Sequence, residues 1–391
     1  MLSGPGLIEA TYEVPFQAHA TIEPLVATAR ADGDRLEIWM PTQAPGLARV
    51  AIARATGMAA SRIILYPTLV GGGFGRKLEH DAAIQAATLA LQAKRPVQVM
   101  WSRGEEMRRG RHGPPAKARL TARLGAPGQI AAWRTKIAAP SNTGEAVGRL
   151  VGSHGGTGAE SAAVEGALPP YAIPAIAIEH APADIGIETG VWRAGAHAYT
   201  AFFTEGFVDE LAAVAGQDAL AFRIGLLAHA PRLARCLTRA AETGGWSGEA
   251  QSGEGLACHS AFGSHIALYV EASNDSGRIK VSRMVAAVDA GRLINPDIVR
   301  QQIESGLLWG LAATMGDAVG FTRGLPDQAN FDALTLPRLR DTPEIEIELI
   351  ASNEAPGGVA ELAVPVAAPA IANAIHSATG KRLRSLPLRL A

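Results

Sequence analysis

Between residues 36 and 101 the chain twice passes from an extended apolar run, through a loop marked by proline or glycine, into a helix. This doublet constrains the fold more than any other feature. "LEIWM" at 36–40 follows an Asp-Gly turn and predicts a strand. "PTQAPG" interrupts it, and residues 47–56 then carry helical periodicity up to Gly57. "RIILYPTLV" at 62–70 predicts a second strand despite Pro67, and "GGGFGRK" a loop. The alanine-rich run 81–93 predicts a helix, and residues 97–101 a third strand. The order β-α-β-α-β puts "TQ" and "GGGFG" at strand-to-helix junctions. Ligands collect there, at strand carboxyl ends facing the free N–H groups of helix starts.

The remainder mixes both element types. Residues 8–14 read as a strand, and 120–137 as a hairpin around "APGQ". The arginine-rich stretch 103–123 lacks interleaved aromatics and reads as a solvated face or subunit contact. Residues 141–170, rich in Gly, Ser and Ala, mark a domain boundary or a long crossing segment. Helices are expected over 200–214, 219–228, 231–242 and 368–378, and a hairpin over 266–289 around "NDSG". Asn295 is the expected cap of a helix beginning at Pro296. The whole is α+β, organised as two mixed subdomains, residues 1–150 and 151–391.

Composition removes several function classes. With 391 residues, 48% apolar and 19% charged, the chain is globular and long enough for two or three packed units. A net charge of -1 does not suggest nucleic acid or a membrane surface, and no apolar run of spanning length occurs. Cys236 and Cys258 lack the number and spacing for an iron–sulfur cluster or a zinc site. The scattered histidines read as packing or surface residues, so no metal ligand is expected from this chain.

Four segments combine glycine, a polar side chain and a loop: "PTQ" at 41–43, "GGGFGRK" at 71–77, "GVWRAGAH" at 190–197 and "GGVAELAVP" at 357–365. The third glycine of a dinucleotide fingerprint is absent, because Arg76 occupies its place, and no GK[ST] follows for a P-loop. Taken alone, each glycine run is a tight turn or a close backbone approach.

Together, in this order and with "ATYEVPFQAHATIEP" (10–24), "FVDELA" (207–212), "VDAGRLINPDIVRQQIESG" (288–306), Asn330–Phe331 as "NF" and "APAIANAIHSATGKRLRSLPL" (368–388), they are informative. The chain resembles the molybdenum-binding large subunit of the xanthine dehydrogenase/aldehyde oxidase superfamily, of the isoquinoline 1-oxidoreductase beta-subunit type. The resemblance implies a molybdopterin cofactor, expected in the cytosine dinucleotide form, against Gly72, Gly73, Phe74 and Gly75. It gives Gln43 the role of an uncharged donor to the metal's apical ligand. Arg193 and Ala194 would lie beside the pterin with Gln302, and Ala360 would complete the cofactor contacts. Glu361 becomes the general base, taking a proton from a molybdenum-bound hydroxide that attacks an electrophilic carbon.

Departures from the family pattern narrow the reading. Ala360 stands for a glycine, Tyr199 for a glutamine and Ser305 for a glycine. The purine-holding glutamate position carries Leu78, so an aldehyde or N-heterocycle is the expected substrate. The family's "MGQG" segment, which lies N-terminal to this chain's start in relatives of this type, is absent. The expectation is a split molybdenum protein: a second large chain carrying "MGQG", and a small 2Fe-2S chain taking the electrons. Nucleic-acid and membrane partners are not expected. The compartment expected is the cytoplasm, or the periplasm by way of a signal-bearing partner. The alternative is a cofactor-free structural partner of such a complex.

Overall fold

The computed structural model describes residues 2, 4–126, 128–152, 158–316 and 318–390. Its sheets and helices are interspersed along the chain, an α+β arrangement as expected. Three four-stranded sheets organise it. The first runs Ile8–Val14, Ala116–Leu124, Ile130–Ala139 and Ile176–Pro182. The second runs Ile63–Thr68, Arg35–Pro41, Val26–Asp32 and Val97–Met100, and the third Glu344–Leu349, Arg278–Asp289, Ser264–Asp275 and Glu254–Ala261.

The second sheet carries the doublet. Arg35–Pro41 and Ile63–Thr68 are parallel neighbours, and the Pro45–Thr56 helix crosses between them. The Asp81–Ala93 helix has the predicted bounds, because its alanines bury one face on the sheet and Lys94 takes a left-handed conformation to end it. The third strand, Val97–Met100, does not extend the parallel pair. It joins the opposite edge, antiparallel to Val26–Asp32, a strand that the sequence reading missed. That strand reads "VATARAD"; its small alternating residues carry little strand propensity, and cross-strand pairing decides its state.

The other two sheets share one core with the long helices. The His197–Val214 helix is buried almost all round, with Phe202, Phe203 and Phe207 inaccessible and the Tyr12 ring edge-on to Phe202. Gly206 allows this approach, since a Cβ there would stand 2.8 Å from the Tyr12 ring. Inside this core Arg223 is inaccessible and pairs with Glu205 at 3.0 Å and Asp209 at 3.2 Å. Helix Val364–Thr379 begins four residues before the predicted start. Pro365 lies in the first turn, where no N–H partner is lost. Asn295 caps helix Pro296–Met315 as expected, its side chain accepting from the Ile298 N–H at 3.2 Å.

The segment 141–170 is more regular than its composition suggests, with a helix at Asn142–Val151 and a short 3-10 turn at Ser161–Val164. Residues 153–157 of that segment, Pro127 in the "APGQ" turn and Asp317 lie outside the described residues. Among the described residues no helix is long and apolar enough to cross a membrane.

Candidate functional site

The four loops converge. Strands Arg35–Pro41 and Ile63–Thr68 end side by side, so Gln43 and the 71–75 loop that follow them are neighbours. The Gln43 side-chain oxygen accepts from the backbone N–H of Gly75 at 3.1 Å and of Lys77 at 3.2 Å. These bonds fix the amide orientation and leave its NH2 group pointing away from the loop as an uncharged donor. The glycines have identifiable work. A Cβ on Gly73 would stand 2.6 Å from the Gln43 oxygen, and one on Gly75 would stand 1.8 Å from the Val191 carbonyl oxygen. Their bareness admits Gln43 and the third loop, so close packing within the protein accounts for both. Lys77, fully buried, anchors the loop by donating to Glu23 and to the Gly72 carbonyl at 2.9 Å.

Val191 opens the third loop. His19 donates to its carbonyl at 2.8 Å, and burial holds that imidazole neutral with a pKa lowered to about 3. Two residues on, the Arg193 guanidinium bonds the Ala360 carbonyl at 2.8 Å, the Ser305 hydroxyl at 2.9 Å and both oxygens of Gln302 at 3.3 to 3.4 Å. The expected cofactor-facing arginine is thus occupied with protein acceptors. It is a strut joining the 190–197 loop, helix Pro296–Met315 and the residue before Glu361. Ser305, the departure from glycine, supplies one of its acceptors.

Glu361 is half-buried in the middle of the fourth segment. Burial raises its pKa; the Ala194 N–H and the Arg193 charge oppose this, and the nearby Glu165 carboxylate adds to it. Ala194 (φ 77°) and Phe74 (φ 55°) both hold left-handed backbone, a cost of about 1–3 kcal/mol each that gathers at functional sites. The Phe74 ring stacks on Trp309 at 3.9 Å and faces the Arg193 guanidinium at 5.7 Å. On the Phe74 side opens a cavity of about 820 Å³, walled by Trp192, Trp309, Leu308 and Phe331.

Most of the predicted site residues therefore lie in one connected region: Gln43, Gly73, Phe74, Gly75, Arg193, Ala194, Gln302, Ala360 and Glu361, with Gly72 beside Phe74. Tyr199 does not join them, because its hydroxyl donates to the Ala163 carbonyl at 2.7 Å. The sequence reading missed Trp309 and did not give Ser305 its role. Their signal was the spacing 302, 305, 309, which puts three side chains on one helical face. It also missed the His197–His259 contact at 2.8 Å, with His197 standing 3.6 Å from Glu165.

The fold is that of solved aldehyde and quinoline oxidoreductases. Aldehyde oxidoreductase from Desulfovibrio gigas superposes with a TM-score of 0.81 at 16% identity, over 98% of this chain and 60% of that one. Quinoline 2-oxidoreductase from Pseudomonas putida 86 gives a TM-score of 0.82 at 12% identity, over 98% and 75%. The molybdopterin cofactor-binding domain family matches residues 4–225 with one model and 176–343 with a second, and the chain belongs to that family. It is 30% identical to the beta subunit of isoquinoline 1-oxidoreductase from Brevundimonas diminuta, over 98% of this chain and 50% of the relative. It is 29% identical to a nicotinate dehydrogenase subunit from Pseudomonas putida, over 97% and 34%. The chain spans about half or less of the length of these curated relatives.

The residues fit such a cofactor. Gln43 offers its amide donor, and the N–H groups of Gly73 and Phe74 have no partner among the described residues. This donor set is uncharged. No group of three or more His, Cys, Asp or Glu side chains that could hold a metal occurs among the described residues.

Proposed function

We propose that the chain forms one part of the cofactor site of a molybdenum hydroxylase acting on aldehydes or N-heterocycles. The observation that carries this reading is the strut: Arg193 holds the Ala360 carbonyl, and so Glu361, beside the loop that packs against Gly75 and Gln43. Gly72, Gly73, Phe74, Gly75, Ala194 and Gln302 would hold the pterin, in its cytosine dinucleotide form, and Gln43 would donate to an acceptor on the metal. When bound, the group supplies two-electron redox chemistry and Lewis acidity.

The chain's own residues do the rest. Glu361 accepts a proton from the oxygen nucleophile, a step for which a carboxylate raised by burial is better matched to neutral pH. Arg193 positions it through the backbone. The cavity beside Phe74 has a volume typical of small-molecule sites, and its tryptophan, leucine and phenylalanine walls suit a flat, uncharged substrate. The supporting chains would be a second large chain carrying "MGQG" and a small 2Fe-2S chain. The compartment proposed is the cytoplasm, with delivery to the periplasm by a signal-bearing partner as the alternative.

The test is Glu361→Gln in the reconstituted complex, with molybdenum content measured alongside turnover. Loss of about 10²–10⁴-fold in turnover at unchanged metal content is the expected result. An unchanged rate removes Glu361 as the base, and a complex without molybdenum removes the reading altogether.

A further inference from the structure

Just after the glycine loop, Arg76 turns into the protein. Its guanidinium is only 2% exposed, and its Nε donates to Glu106 at 2.6 Å. Its other two nitrogens, Nη1 and Nη2, have no hydrogen-bond partner. They are not alone. Arg103 uses Nη2 to bind the Ile22 carbonyl at 2.7 Å, while its buried Nη1 has no partner. The His112 ring is 5% exposed and neither of its nitrogens makes a hydrogen bond of good geometry. Arg76, Arg103 and His112, with Glu106 and His19, line one small space of about 10 Å³. That leaves room for a single small species.

Buried donors left without acceptors are costly, and native structures rarely leave several together. The balance of charge says what kind of acceptor is missing. Two guanidinium groups, Arg76 and Arg103, face one carboxylate, Glu106. That carboxylate already accepts from Arg76 and from the Leu25 N–H at 2.9 Å. Arg111, on the same wall, has its own carboxylates, Asp81 at 3.0 Å and Glu188 at 3.0 Å. His19 and His112 are neutral, because burial and the Arg76 charge hold both below the ordinary histidine range. Three guanidiniums and one carboxylate line the space itself, because the carboxylates paired with Arg111 lie outside it, so the field inside is positive and N–H donors are in excess. A water brings two acceptor lone pairs, needs acceptors for its own protons, and leaves the charge in place. A monovalent anion answers both.

The geometry points to a binding site for one small monovalent anion of chloride size, held by Arg76, Arg103 and His112 beneath the glycine loop. Arg103 is only part-buried and forms the wall through which the ion enters. The space adjoins the cavity beside Phe74, sharing Ala18, His19 and Ala20 with it, but uses none of Gln43, Arg193 and Glu361, so the assignment does not depend on the reading given to those residues.

The experiment uses the full 391-residue chain, prepared in potassium gluconate and titrated with chloride or bromide at constant ionic strength. A saturable rise in melting temperature is expected with either halide. Crystals grown in bromide are expected to show an anomalous peak between Arg76, Arg103 and His112. Arg103→Gln, on the part-buried wall, should fold normally in gluconate and lose at least tenfold in halide affinity. His112→Leu serves as a second variant and should weaken binding as well. No saturable response, the same response in both variants, or a peak absent from this site would each overturn the assignment. So would a bromide peak unaccompanied by any response in solution, which is an adventitious ion only.

Discussion

At the residue scale, two groups in the loops make opposite demands on their surroundings. Gly75 has φ 99° and no room for a side chain, since the Val191 carbonyl stands where its Cβ would be. Gly75→Ala should cost about 2–4 kcal/mol from overlap and left-handed strain together. Denaturant unfolding reads that cost. Because Gly75 also donates to Gln43, the variant should lose bound pterin in the assembled complex before it loses global fold. A variant as stable as wild type would mean that the 190–197 loop does not pack as described. Glu361 is held the other way, with its charged form disfavoured by burial. Two consequences differ in sign. As a base it works deprotonated, so turnover should fall on acidification at a pH above the ordinary carboxylate range. For stability, a raised carboxyl pKa contributes below the unfolded value and is lost as pH rises through the folded one. A pH–rate profile with its acid limb in the ordinary carboxylate range would contradict the environment assigned to Glu361.

At the element scale, the helix that follows Glu361 depends on the sheet beneath it. Val364–Thr379 lies on strand Glu254–Ala261, and a Cβ on Gly255 would come within 2.2 Å of the Ala370 carbonyl oxygen and 2.3 Å of the Ala374 nitrogen. Asn373 adds a bond to the Leu256 carbonyl at 3.0 Å. Gly255→Ala must lift the helix and should cost about 1–3 kcal/mol. Thermal unfolding measures this, and a neutral result would show that the helix shifts freely. The sequence held much of this scale. Strong local signals, such as the alanine face of 81–93, the Asn295-Pro296 start and the Gly380 stop, fixed those boundaries to within a residue or two. Strands Val26–Asp32 and Glu254–Ala261 were not legible, because "VATARAD" and "EGLACHSA" lack a run of branched residues and owe their state to neighbours far along the chain. The site was legible in the same graded way. Gln43, the glycine loop and Glu361 stood out as motifs, whereas the acceptors of Arg193 did not. A carbonyl acceptor such as Ala360 leaves no mark on the sequence, and Ser305 marks only a helical face.

At the scale of the whole molecule, three buried imidazoles tie stability to pH. His19 and His259 have pKa values lowered to about 3, and His112 to about 4, in each case chiefly by burial. All three are neutral in the native state, whereas in the unfolded chain they titrate near the ordinary value of about 6.5. A histidine with a depressed folded pKa contributes stability that is fully present above the unfolded pKa. It is lost as pH falls through the window toward the folded value. Between pH 7 and pH 5 the unfolded chain takes up protons that the native state refuses, at about 2 kcal/mol for each such histidine. His259 lies apart, in contact with His197, whereas His19 and His112 line the same space. The His259 loss should therefore add to that of the other two, which are coupled, and the sum should show as one steep fall in unfolding free energy across that range. Urea titrations at stepped pH measure it, with proton uptake on unfolding at pH 5.5 as an independent readout. Unfolding that takes up no protons there would mean that these imidazoles are charged, or solvated, in the native protein. The His112 contribution should also respond to halide, because an anion beside Arg76 reduces the positive field that helps to keep that ring neutral. Proton uptake measured in gluconate and in chloride would differ if both assignments hold.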